Sequence, residues 1–104
     1  MATVIQKLVF SFPSVTGRRQ VQIRRLEFGR PIKLDSAFAM LAGFEIQYNN
    51  GDHHVLQEQI QVEVNGINGT SVDVAATFLL RDGSGNIDDP YSGFISALVI
   101  ADVA

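Results

Sequence analysis

Turn chemistry recurs along this chain at intervals that suit strands and little else. Asn50-Gly51, Asn65-Gly66 and Asn68-Gly69, with the loop Asp82-Gly83-Ser84-Gly85-Asn86, punctuate runs in which apolar and polar residues alternate. Asn-Gly is the preferred centre of a two-residue hairpin, because both residues there take positive φ, which asparagine tolerates and glycine adopts freely. Hairpin turns between period-two runs define an antiparallel all-β chain. The 104 residues are therefore expected to form one domain spanning 1–104. Its expected architecture is an antiparallel β-sandwich of about six or seven strands.

The alternation predicts strands over 3–12, 19–28, 54–64, 71–81 and 93–103. Residues 30–48 read as two strand segments joined at Ala42-Gly43, where glycine permits a bulge or kink. Ser36 to Leu41 also fits a short helical turn. Phe10, Ile32, Leu34, Phe38, Phe44, Ile46, Ile60, Val62, Val72, Val74, Phe78 and Leu98 form the expected core. The last strand stands apart, because Gly93 to Ala101 is apolar on both faces. An antiparallel strand normally wets one face. Its second face is expected to meet another subunit, or else a loop or terminus of the same chain. Only 18% of the residues are charged while 46% are hydrophobic, which points the same way.

Composition removes several classes of function. Cysteine is absent, so disulfides, thiol redox chemistry and cysteine-ligated zinc are excluded. The net charge of −3 argues against general affinity for nucleic acid. No stretch approaches the ~20 apolar residues of a spanning helix, and Met1 to Lys7 lack the basic and apolar regions of a signal peptide, so none is expected. A cytoplasmic location is the default expectation, with no membrane partner and no cofactor.

Asp52-His53-His54 invites a metal or phosphoesterase reading, but neighbouring strand residues point to opposite faces. Two histidines also fall short of the three or four ligands that zinc takes. Asp52 is expected to close a turn, with Asp52 and His53 left as ligand-binding candidates. The 82–89 loop places oxygen-bearing side chains at alternate positions, as calcium requires, yet lacks the glycine and glutamate of an EF-hand. Arg18, Arg19, Arg24, Arg25, Arg30 and Lys33 split between strand faces, either as an anion site or as a solvated, aggregation-resistant edge. No nucleophile elbow or other catalytic frame surrounds any serine. The expectation is a non-enzyme with no resident metal.

Phe28-Gly29-Arg30-Pro31-Ile32, Phe44-Glu45-Ile46-Gln47-Tyr48, the strands at 54–64 and 71–81, and Tyr91-Ser92-Gly93 before the terminal strand resemble the H-type lectins in strand order and length. That resemblance, to the snail agglutinin and discoidin C-terminal kind, covers the last two thirds of the chain. It implies a six-stranded sandwich assembling as trimers or hexamers, with sugars held in shallow sites at subunit boundaries. The family usually carries tryptophans near the final hairpin and in the last strand, and this chain has none. By position alone the resemblance points to Asp88, Asp89 and Tyr91 as ligand-binding residues. The expected function is a non-catalytic, oligomeric, carbohydrate-binding module. The alternative is a structural or assembly subunit without a small ligand.

Overall fold

The computed structural model of the chain describes residues 2–49, 55–82 and 89–104. Six antiparallel strands account for most of them: β1 (Ala2–Val15), β2 (Gln20–Glu27), β3 (Phe38–Tyr48), β4 (Val55–Asn68), β5 (Ser71–Asp82) and β6 (Tyr91–Val103). They form two three-stranded sheets, ordered β1-β6-β3 and β2-β5-β4. The molecule is a slender antiparallel β-sandwich, 51 × 18 × 18 Å. Its length follows from strands of up to 14 residues.

The core comes from the inward positions of the two central strands. In β5 these are Val72, Val74, Ala76, Phe78 and Leu80; in β6 they are Tyr91, Ile95, Ala97, Val99, Ala101 and Val103. Leu8, Phe10 and Phe12 of β1 complete it. Each fully buried side chain of this kind contributes roughly 1.5–3 kcal/mol before conformational entropy is set against it. Gly93 is required by space, since a Cβ there would overlap the Glu45 carbonyl oxygen and come within 2.8 Å of Phe78 Cζ.

Turn chemistry behaves differently at each Asn-Gly step. Asn68 pairs with Ser71 across a two-residue turn, in which Gly69 has φ +61 and Thr70 stays at negative φ. That is the type II′ pattern, with glycine first. Asn65-Gly66 makes no turn; it sits inside β4 at a register shift between Val64 and Gly66, a bulge. Asn50-Gly51 lies outside the described residues.

β3 departs most from the sequence reading. It is one strand with a register shift between Leu41 and Gly43, so Ala42 is an extra residue. The bulge expected at Ala42-Gly43 is present, and no helical turn forms at 36–41. Because an extra residue flips every side chain beyond it, positions of one parity serve different faces on either side. Ala37 and Ala39 pack inward before the bulge, and Ile46 and Tyr48 after it. Phe38, at 63% exposure, is therefore a surface residue rather than core, and Leu34 and Phe44 are exposed as well. Leu98 faces outward and is half-buried.

The two ends of the sandwich differ. At one end the β2–β3 connection crosses between the sheets. Ile32 N–H donates to the Gly69 carbonyl at 3.0 Å, Lys33 N–H to the Asp102 carbonyl at 2.9 Å, and Ala104 N–H to the Pro31 carbonyl at 2.9 Å. At the other end, the β1–β2, β3–β4 and β5–β6 connections all depart together, as the pairing of Val15 and Tyr48 with Tyr91 and of Val55 with Asp82 requires.

Candidate functional site

The loop-bearing end gathers neutral hydrogen-bonding groups from three strands. Asn49, just past β3, donates from Nδ2 to Ser14 Oγ of β1 at 2.7 Å. Ser92 Oγ of β6 donates to Asn49 Oδ1 at 2.9 Å. The Asn49 N–H donates to the Pro90 carbonyl at 3.0 Å, which fixes the asparagine between the two serines. Ser14 and Asn49 are exposed, and Gln47 lies exposed directly opposite Ser92. Neither serine is bonded to a base, since both bonds are to the side-chain amide. The arrangement suits recognition of hydroxyl groups, because it offers exposed acceptors and donors on a backbone held by strand pairing.

Tyr91 serves this end from within. It is fully buried, and its hydroxyl donates to the Arg18 carbonyl at 2.6 Å, with the Phe78 carbonyl 3.1 Å away. Burial pushes the phenol pKa above its usual value. An inward side chain with its hydroxyl occupied cannot stack on or bond a ligand, so Tyr91 is a core residue and not a ligand contact. It ties the β1–β2 turn to β5 and thereby positions the site. Asp89 is half-buried at the entry to β6, three residues before Ser92. Asp88, Asp52 and His53, like most of the 82–89 loop considered for calcium, fall outside the described residues.

Arg81 closes β5 here, and its Nε is shielded from solvent without a hydrogen-bond partner among the described residues. The other cationic residues disperse. Arg25 pairs with Asp73 at 2.9 Å on the outer face of the second sheet, and that bond holds the Asp73 carboxyl below its ordinary pKa. Arg24 donates to the Val9 carbonyl and lies 5.9 Å from the centre of the Phe10 ring. Arg24 and Arg25 are thus engaged by different partners. Among the described residues, no three His, Asp or Glu side chains group as a metal site. Among the same residues, no helix is long and apolar enough to cross a membrane.

Two other surfaces stand out. An open groove of about 440 Å³ lies at the opposite end, between Leu34, Asp35 and Ala37 of the β2–β3 connection and the bulged part of β4 at 64–67. The outer face of the β1-β6-β3 sheet is apolar in cross-strand rows, Ile5 beside Ile100 and Phe38, then Leu98 beside Met40. Phe94 on the same face is 38% exposed.

Ser14, Asn49 and Ser92 were not legible as a group. They are 35 and 43 residues apart in the chain, and each looks like ordinary turn or strand-end chemistry. Only the non-sequential order β1-β6-β3 brings them together. No family model, curated protein or solved structure matches the chain.

Proposed function

We propose that the chain is a non-catalytic, oligomeric binding module that takes carbohydrate at its loop-bearing end. The observation that carries the reading is the Ser14–Asn49–Ser92 cluster, in which side chains from β1, β6 and the end of β3 are joined by hydrogen bonds. A sugar presents neutral hydroxyls that both donate and accept, and this cluster answers them without charge or nucleophile activation. The six-stranded, two-sheet architecture provides a rigid frame for such a site. A shallow polar site of this kind binds weakly, with a Kd near millimolar corresponding to about −4 kcal/mol. Oligomerisation compensates, since linked sites gain about 10²–10⁴ in avidity without new contacts.

The test is a glycan array read at high ligand density, followed by Asn49→Ala. The expected result is a restricted set of glycan hits that Asn49→Ala abolishes while the far-ultraviolet spectrum stays unchanged. An array without hits, or hits that survive this substitution, would overturn the reading. The second reading is a structural subunit that binds no small ligand. What favours it is the apolar outer face of the β1-β6-β3 sheet, with Phe38 and Met40 largely uncovered. Saturable binding of a soluble oligosaccharide separates the two.

A further inference from the structure

We propose that Phe94 is the floor of the carbohydrate site, and that the site takes a neutral pyranose laid flat on the loop-bearing end of the β1-β6-β3 outer face. This deepens the function proposed above and rests on it. Phe94 is two residues from Ser92 on β6, so both side chains stand on the same outer face. Tyr91, the other aromatic residue of β6, is fully buried, whereas the Phe94 ring keeps 38% of its surface in solvent. An uncovered aromatic ring beside a few fixed polar groups is the composition of a small-ligand site.

Register sets what surrounds the ring. Ser11 of β1 lies opposite Phe94 on one side and Glu45 of β3 on the other, and Gln47 lies opposite Ser92. Ser11, Glu45 and Gln47 are all exposed. Residues directly opposite one another stand about 5 Å apart, and the next row of the same face lies about 7 Å along the strand. Those spacings place hydrogen-bonding side chains on three sides of the ring, within the reach of one six-membered sugar. The fourth side is low. Its row is Val9, Ser96 and Gly43. Ser96 is small, and nothing lies within 4 Å of the place a Cβ on Gly43 would take. On the β3 side the face therefore dips beyond Phe94 before it rises again at Leu98 and Met40. A sugar lying over the ring meets no wall there.

Chemistry names the class of sugar. The face of an aromatic ring is electron-rich and attracts polarised C–H groups. A pyranose whose hydroxyls are all equatorial, as in a β-glucoside, turns only C–H groups toward a surface beneath it and holds its hydroxyls around its rim. The Glu45 carboxylate accepts from such hydroxyls in charge-assisted bonds, while the amides of Gln47 and Asn49 both donate and accept. Glu45 is the one charge in the rows of Ser92, Phe94 and Ser96, so a sugar acid meets repulsion where a neutral sugar does not. All of these side chains belong to one copy of the chain.

The experiment is an amide NMR titration of the full chain, at low salt, with methyl β-D-glucopyranoside and separately with methyl β-D-glucuronide. The wild type is expected to bind the neutral sugar saturably in the millimolar range, with shifts concentrated at 43–49 and 92–96. It should bind the glucuronide about fivefold more weakly. Phe94→Ala is expected to weaken the neutral sugar about tenfold, Phe94→Tyr to retain it, and Glu45→Gln to remove the difference between the two sugars. Phe38→Ala, at the far end of the same face, should change neither. Phe94 is exposed, so the alanine variant should keep the far-ultraviolet spectrum of the wild type. Unchanged binding in Phe94→Ala, a glucuronide bound as tightly as the glucoside, or no saturable shift with the glucoside would overturn the proposal. Glycan hits lost in Asn49→Ala but kept in Phe94→Ala would sink the aromatic floor and leave the carbohydrate reading standing, whereas a silent array removes both.

Discussion

Phe78 and Phe38 belong to runs that look alike, each an aromatic ring in a period-two apolar series. Phe78 has no exposure and lies stacked 4.5 Å from Phe12 and 5.8 Å from Tyr91, centroid to centroid. Phe38 is mostly in solvent. Phe78→Ala is expected to cost about 3–5 kcal/mol in urea denaturation, the transfer of the ring plus the cavity it leaves. Phe38→Ala, measured in the monomeric state, should stay within about 0.5 kcal/mol, as surface changes do. Equal losses at the two positions would contradict the placement of both rings. The alternation around Phe78 runs from Val72 to Leu80 without a break, so its burial was legible. Around Phe38 the same alternation misleads, because the single residue Ala42 sets which face is which. Pattern cannot count a bulge whose flanks are apolar on both sides.

At the scale of elements, β2 shows a second limit of pattern reading. Alternation alone would turn Val21 and Ile23 to the core and leave Gln20, Gln22 and Arg24 in water. The strand does the reverse: Val21 and Ile23 are exposed, and the polar set reaches the backbone of β1. The reason is that β1 and β2 are edges of different sheets lying side by side, and the carbonyls of Val9, Ser11 and Pro13 lack a neighbouring strand. Long amide and guanidinium side chains supply the donors. Gln22→Met keeps the length of the side chain and removes the donor, so it is expected to cost about 0.5–1.5 kcal/mol. The check is urea denaturation. An unchanged midpoint would mean that water serves the Ser11 carbonyl equally well, and that the edge is not sealed by this bond. The candidate site obeys the same logic. The antiparallel strands were readable from turns and alternation, although β4 runs on through Asn65-Gly66 and only 38–48 of the 30–48 stretch is strand. The cluster of Ser14, Asn49 and Ser92 depends instead on which strands become neighbours.

That strand order governs the whole molecule, including how it must fold. Only β4 and β5 are neighbours in both sequence and sheet, joined through the Gly69-Thr70 turn. β2 waits for β5, β3 waits for β6, and β1 pairs with β6 along its full length, Ala2 opposite Val103. Each of these closures loses chain entropy that rises with the logarithm of the loop, before any contact compensates. Sandwiches built from such distant pairings fold in about milliseconds to seconds. The β4–β5 hairpin closes the shortest loop and carries Val74, fully buried, in its central strand. It should therefore be formed early, with the terminal pairing last. In stopped-flow measurements Val74→Ala is expected to slow folding, with a φ-value of about 0.5–0.8, while Val4→Ala on β1 mainly speeds unfolding, with a φ-value of about 0–0.3. If Val4→Ala slowed folding as much as Val74→Ala, the first and last strands would already be joined at the barrier. The closure of the β1-β6-β3 sheet, which also brings Ser14, Asn49 and Ser92 together, would then be the nucleating event rather than the final one.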